Sequence, residues 1–350
     1  MSLGSWSASP HEVSCERADA AATSPRLSGT TAEAPLARYA LYGRTLASDF
    51  PFRWPLPRGT GTPDLHFTCV DTAPIDVQMD AATRVLDLPL GAHDGAASIS
   101  FHQLDGVDVV RIADDADHYV WPDRIICHLH DPSLDWLVEV QLLGMVLALW
   151  LERRGTPTLH ASTVVVDGSA VAFLGTKGGG KTTAATSLVA AGHPLLVDDL
   201  LALELTGDDV LAQPGYPMLR LWPEQVAHFL GAHDPLPLVH PAFTKRRVAV
   251  GHRFGTHQTT PAPLRRIYLP VRRDGGEVIV EAIPSREALI ETVRHSFLHD
   301  AVHSFGLAGT RLAQLAEVLR HASVRRVSYP SGFDRLPELV AAIEADVAES

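Results

Sequence analysis

Cysteine is scarce: the chain holds three in 350 residues, Cys15, Cys69 and Cys127, odd in number and widely spaced. No CxxC pair occurs, so neither a disulfide framework nor a zinc ribbon is expected, and the thiols are read as free in a reducing cytoplasm. Basic residues are also in deficit, 29 Lys and Arg against 41 Asp and Glu, giving a net charge of −12. Nucleic acids and anionic membrane surfaces both draw on a surplus of Lys and Arg, so neither is expected as a partner. Residues 1–35 lack the charged start and apolar run of a secretory signal. A long apolar run is missing too. The most apolar segment, Leu134 to Leu151, carries Asp135, Glu139 and Gln141 and falls short of the ~20 residues that a bilayer span requires. The expectation is a soluble, cytoplasmic protein.

What is present is an apolar fraction of 46%, enough to bury a sizeable core in one or two domains. Residues 1–35 are rich in Ser, Ala, Thr, Pro and Glu and read as a disordered tail. Residues 36–155 read as a β-rich domain. Its strands are expected at Leu65 to Val70, Ser98 to Gln103, Val107 to Ile112 and Ile125 to Leu129, with Asp105-Gly106 as a hairpin turn. A long helix closes it, capped by Ser133 and running to about Arg154. Residues 156–350 read as mixed α/β. Ser162 to Val166 and Ala170 to Leu174 form a hairpin around Asp167-Gly168. A helix follows from Lys181 to Ala191 and stops at Gly192, and Leu195 to Val197 is a short buried strand ending in Asp198-Asp199. A second hairpin is expected around Asp274-Gly275, then helices near Ser285 to Ser304, Gly309 to His321 and Leu336 to Val347, with a strand at Val324 to Ser328.

The strongest motif is Gly175-Thr176-Lys177-Gly178-Gly179-Gly180-Lys181-Thr182, which matches G-x-x-x-x-G-K-[ST] in full. Small residues let the backbone curl so that successive N–H groups point at phosphates, and the following helix adds positive partial charge at its N-terminus. Lys181 then meets the transferring phosphoryl group and the Thr182 hydroxyl ligates Mg²⁺. An apolar strand before the loop and a helix-forming run after it supply the context that the motif demands. ATP and Mg²⁺ are therefore the expected cofactors. Thr183 extends the set of nucleotide-binding residues.

Asp198 and Asp199 follow Lys181 by seventeen and eighteen residues. Two carboxylates beside the phosphates can divide the labour, one accepting the proton of an incoming hydroxyl and the other holding Mg²⁺. His160, ahead of the hairpin, reads on its own as a core histidine.

A phosphate-loop strand fed by a tight antiparallel hairpin is unusual. The block from His160-Ala-Ser through the loop to Gly192-His193 and Asp198-Asp199 resembles the C-terminal catalytic domain of the HPr kinase/phosphorylase family. That family carries a His, a phosphate loop, a Gly-His pair and an Asp-Asp pair in this order and at this spacing. The resemblance implies ATP-dependent phosphorylation of a serine hydroxyl. Asp198 would be the general base, Lys181 and Thr182 the phosphate and Mg²⁺ ligands, Asp199 a further metal ligand, and His160 a neighbour of the γ-phosphate. The loop here ends Lys181-Thr182-Thr183 where the family typically ends Gly-Lys-Ser-Glu, and residues 36–154 do not look like the HPr enzyme's N-terminal half. Those departures favour divergent members that resemble tailoring kinases of ribosomally made peptides, lasso peptides among them. The expected partner is a peptide or protein bearing Ser, and a homo-oligomer is compatible with the sequence. A small-molecule alcohol kinase and a non-catalytic ATP-dependent regulator stand as alternatives.

Lys245-Arg246-Arg247 is a basic run able to reach phosphate or an acidic acceptor, or to be a solvated loop. Arg265-Arg266 begins a strand and reads as structural, with the nucleotide within reach of either. His295, His299 and His303 would share one face of a continuous helix, but no further ligand completes a metal site there.

Overall fold

The computed structural model describes residues 36–74, 82–89, 98–104, 106–231, 236–240, 243–251 and 254–349. The tail expected over 1–35 and Asp105 of the first expected turn lie outside the described residues. Alternating apolar and polar side chains build an eight-stranded sheet from β1 (Ala37–Leu41), β2 (Arg44–Ser48), β3 (Leu65–Val70), β4 (Thr83–Pro89), β5 (Ser98–Leu104), β6 (Val107–Ile112), β7 (Ala116–Val120) and β8 (Arg124–Leu129). Its order is β1-β2-β3-β8-β7-β6-β5-β4, with β3 parallel to both of its neighbours.

The helical stretch after β8 comprises α1 (Asp135–Gln141), a π turn (Leu142–Val146) and α2 (Leu147–Arg153). It packs its apolar side chains into the core beneath the sheet. By length and composition alone Pro132–Arg153 passes for a membrane span, but most of it is buried inside the protein. Its N-terminal cap is not the expected Ser133 side chain. Asp131 accepts the Ser133 N–H at 2.9 Å, and Pro132 then starts the first turn, a position that wastes no donor.

β9 (Thr158–Val166) and β10 (Ser169–Leu174) form an antiparallel hairpin. Asp167 and Gly168 turn it with φ of +48° and +77°, the conformation of a tight two-residue hairpin loop. Helix α3 (Lys181–Ala190) and strand β11 (Leu195–Leu205) follow, then β12 (Val210–Ala212), β13 (Met218–Leu221), α4 (Pro223–Leu230), β14 (Leu238–His240), β15 (Phe243–Ala249) and β16 (Ala262–Arg273). The chain ends with β17 (Ile279–Ala282), α5 (Ser285–Arg294), α6 (His299–Ser304), α7 (Ala308–His321), β18 (Ser323–Pro330) and α8 (Leu336–Ala348). The main sheet has the order β10-β9-β11-β12-β16-β18-β17, and β10 also pairs in parallel with β16. Five strands, β10-β9-β11-β12-β16, thus close on themselves. A small sheet, β13-β15-β14, stands beside them.

Three expectations fail here. β16 and β17 do not form a hairpin around Asp274-Gly275, because β18 inserts between them. β11 does not end at the aspartates but continues six residues past Asp199. The helix expected from Ser285 to Ser304 is broken after Arg294, where Ser296 bridges to Leu159.

The sheet is buried on both faces. Val171 and Phe173 of β10 pack with α3 and α8, while Ala170, Ala172 and Leu174 join the apolar core shared with the eight-stranded sheet and α1–α2. One core therefore runs across the boundary expected at residue 155, and the described residues 36–349 belong to a single compact unit.

Candidate phosphate-binding site

β10 delivers the chain into the glycine-rich loop, and the loop curls because three of its glycines hold positive φ: +157° at Gly175, +80° at Gly178 and +98° at Gly180. Only glycine adopts such angles at little cost. At Gly180 a Cβ would also overlap the hydroxyl of Tyr329. Lys181 opens α3 and is almost fully buried. Its ammonium donates to the carbonyl oxygen of Gly175 at 2.6 Å. Burial lowers the Lys181 pKa, and the charges of Asp198 and Asp199 oppose the shift. Arg272 reaches over from the end of β16 and donates to the Gly178 carbonyl at 2.7 Å.

Strand register brings the aspartates to the loop. Phe173, Ser162 and Asp198 lie in one row across β10, β9 and β11, so their side chains share the face that α3 covers. The Ser162 hydroxyl donates to Asp198 Oδ1 at 2.5 Å, and Thr182 Oγ1 lies 3.3 Å from the same oxygen. The backbone N–H of Arg220 donates to Asp198 Oδ2 at 3.0 Å. Strict alternation would turn Asp199 to the other face, with Ala161 and Leu174. Its φ of +91° departs from strand geometry, a strained angle for a non-glycine residue, and both carboxylates line one cleft of about 540 Å³.

Asp199 is held by charge. Arg220 Nη1 lies 2.7 Å from its Oδ2, and His160 Nε2 lies 3.3 Å from its Oδ1. Burial pushes the Asp199 carboxyl up, but Arg220 and then His160 outweigh it, so its pKa lies below the ordinary value. Burial lowers the His160 pKa against the pull of Asp199. Arg220, buried in its turn, keeps its proton more firmly than a free guanidinium because Asp199 and Tyr216 lie beside it.

The donors fit the groups that the motif implies. Thr182 Oγ1 and Asp198 Oδ1 are a close pair of hard oxygen donors, the kind that suits Mg²⁺. Tyr329 presents to the cleft a buried hydroxyl with no partner among the described residues, a polar group suited to a phosphate oxygen.

Every residue of the expected loop from Thr176 to Thr183 lines this cleft, together with His160, Asp198, Asp199 and Lys245. Thr183 turns toward α4, where its hydroxyl accepts from the Gln225 amide at 2.5 Å. Lys245 lies over the Trp222 ring, 5.1 Å from its centre. Arg246 is not brought in: its guanidinium donates to the carbonyl of Leu236. Arg265 and Arg266 are structural, paired with Asp209 and Asp346. His295, His299 and His303 do not share a helix face, since the break between α5 and α6 separates His295 from the other two.

The sequence reading missed Ser162, Arg220, Arg272 and Tyr329. Arg220 carried a signal, a lone arginine among leucines in a buried strand, which needs a partner. Ser162, Arg272 and Tyr329 reach the cleft only through strand pairing and carried none.

No protein-family model matches the chain, and no curated protein matches it. Among solved structures, the Hpr(Ser) kinase/phosphatase from Coxiella burnetii is similar over 55% of this chain and 99% of its own, at 13% identity and a TM-score of 0.28. At that level the site is read from its own geometry.

Proposed function

We propose that this protein is an ATP-dependent phosphotransferase that moves the γ-phosphoryl group to a hydroxyl, a serine of a peptide or protein. The observation that carries the reading is the pair of aspartates held against a full phosphate loop, one beside Thr182 and the other beside His160. Nucleotide sensing alone calls for no second carboxylate of this kind. Serine as the acceptor, and a peptide as its bearer, come from the resemblance of the motif block.

The loop N–H groups, the start of α3 and Lys181 would grip the triphosphate, with Arg272 and Tyr329 at its flank. Mg²⁺ bound at Thr182 would neutralise phosphate charge. Two observations support exchanging the roles that the resemblance implies for the aspartates. Asp198 is 4% exposed and already shares an oxygen with the Thr182 and Ser162 hydroxyls, which suits a metal ligand. The Asp199 side chain is 21% exposed and faces His160, which is 45% exposed, which suits contact with an acceptor. Asp199 then takes the hydroxyl proton as the oxygen–phosphorus bond forms and the bond to the departing ADP breaks, and Arg220 and His160 hold its carboxylate in place.

The test is purified protein with Mg-ATP and labelled phosphate, offered Ser-bearing peptides and small alcohols in parallel. Asp199→Asn is expected to lower kcat by about 100-fold or more, the usual worth of a general base, with ATP affinity nearly unchanged. Asp198→Asn is expected to weaken the Mg²⁺ dependence of nucleotide binding. Full activity in Asp199→Asn would return the base to Asp198. Transfer to no acceptor at all would leave only nucleotide binding.

A further inference from the structure

The Asp199–Arg220 pair is not supported by the phosphate-loop sheet alone. Arg220 Nη2 donates to the hydroxyl of Tyr216 at 3.0 Å while Nη1 holds Asp199 and the backbone N–H holds Asp198. The guanidinium is thus fixed at both prongs of its fork. Tyr216 in turn lies against side chains from the β1–β2 turn and the β2–β3 segment of the eight-stranded sheet. Tyr42, in the β1–β2 turn, is 2% exposed with φ of +55°, donates its N–H to the Pro214 carbonyl at 2.8 Å, and reaches the Leu143 carbonyl of the π turn at 3.4 Å through its hydroxyl. The Trp54 ring lies 6.5 Å from that of Tyr216 and carries the Arg247 guanidinium on its face. Trp54 is itself anchored, since Glu139 of α1 accepts its backbone N–H. At Gly215 a Cβ would come within 2.6 Å of Val197 and 3.2 Å of Tyr42, so the segment before Tyr216 is wedged between the β1–β2 turn and the strand that bears the aspartates.

We propose that the β1–β2 turn and Trp54 are a built-in brace for the phosphotransfer site, with Tyr216 as the positioning residue that acts on Asp199 through Arg220. The eight-stranded sheet is then part of the catalytic framework. The physical reason is directional. A buried guanidinium with one carboxylate partner can pivot about that contact, whereas a second fixed acceptor on the other prong leaves it one orientation. Asp199 inherits that orientation. The catalytic consequence rests on the function proposed above, but the brace itself does not.

The test therefore has two arms. Tyr216→Phe deletes only the acceptor oxygen and leaves the ring packed. It is expected to lower kcat by about tenfold, since small misplacements of reacting groups are costly, with the KM for ATP and the melting temperature close to wild type. Gly215→Ala, whose Cβ would press on Val197 and less closely on Tyr42, is expected to lower kcat as well, with a lower melting temperature. The second arm needs no acceptor: in ¹⁵N-arginine-labelled protein the two Arg220 Nη signals are expected to be resolved in the wild type and merged by faster rotation in Tyr216→Phe. Unchanged kcat in both variants, or Arg220 signals that are alike in wild type and Tyr216→Phe, overturns the brace. If the wild type transfers phosphate to nothing, the proposed function fails, and the arginine signals still decide for or against the brace.

Discussion

Gly180 and Tyr329 meet at the point where the loop becomes a helix, and the meeting explains why the side chain at 180 is a hydrogen atom. The +98° φ excludes most residues, and the Tyr329 hydroxyl occupies the place of a Cβ. Gly180→Ala is expected to weaken ATP binding by about tenfold or more, from a left-handed penalty of roughly 1–2 kcal/mol together with displacement of Tyr329. Calorimetric titration with Mg-ATP would measure it, and an affinity within twofold of wild type would contradict the geometry. Arg220 makes the complementary point. A charge set in an apolar strand is conspicuous in the sequence, but its partners, Asp199 and Tyr216, are not, because a tertiary contact selects them.

Elements governed by local rules were legible, and those governed by pairing were not. The Asp167-Gly168 turn, the strand before the phosphate loop and α3 lie where the sequence places them, since turn chemistry, β-branching and glycine stops act within a few residues. The hairpin at Asp274-Gly275 had the same local signals and failed, because β18 pairs with both flanking strands. Strand β7 went unseen since Asp117 and His118 make it look like a loop, yet all five of its residues are buried. Arg111 forms two hydrogen bonds to Asp117, and Gln141 bonds His118. At the start of the long helix the cap lies two residues before the expected Ser133, at Asp131, whose side chain accepts the Ser133 N–H. Asp131→Ala is therefore expected to lower the urea midpoint, and Ser133→Ala to leave it where it is; the reverse order would restore Ser133 as the cap.

Across the whole molecule, stability is expected to depend on pH through histidines buried in the neutral form. Burial lowers the pKa of His118 from 6.5 to about 4, and that of His295 to about 4 with help from Lys181 and His160. The unfolded chain binds protons at these sites before the folded one does, so this stability is fully present above pH 6.5 and is lost as the pH falls toward 4. For His118, which has no exposed surface, the loss approaches about 3 kcal/mol at the acid limit. Denaturant melts between pH 7 and 4 would reveal the slope, and His118→Asn should flatten it in part. A wild-type midpoint that does not move over this range would refute the assignment.

The closure of β10, β9, β11, β12 and β16 on one another has a consequence for how copies of this chain can associate. Each of these five strands, which carry His160, Ser162, Asp198, Asp199 and Arg272, has neighbours on both sides, so none offers a bare margin for a strand lent by another chain. Exchange of these strands between molecules would require the ring to be cut at two ladders. Any self-association through backbone pairing is thus confined to the outer margins, β17 among them, and leaves the phosphate cradle whole in every copy.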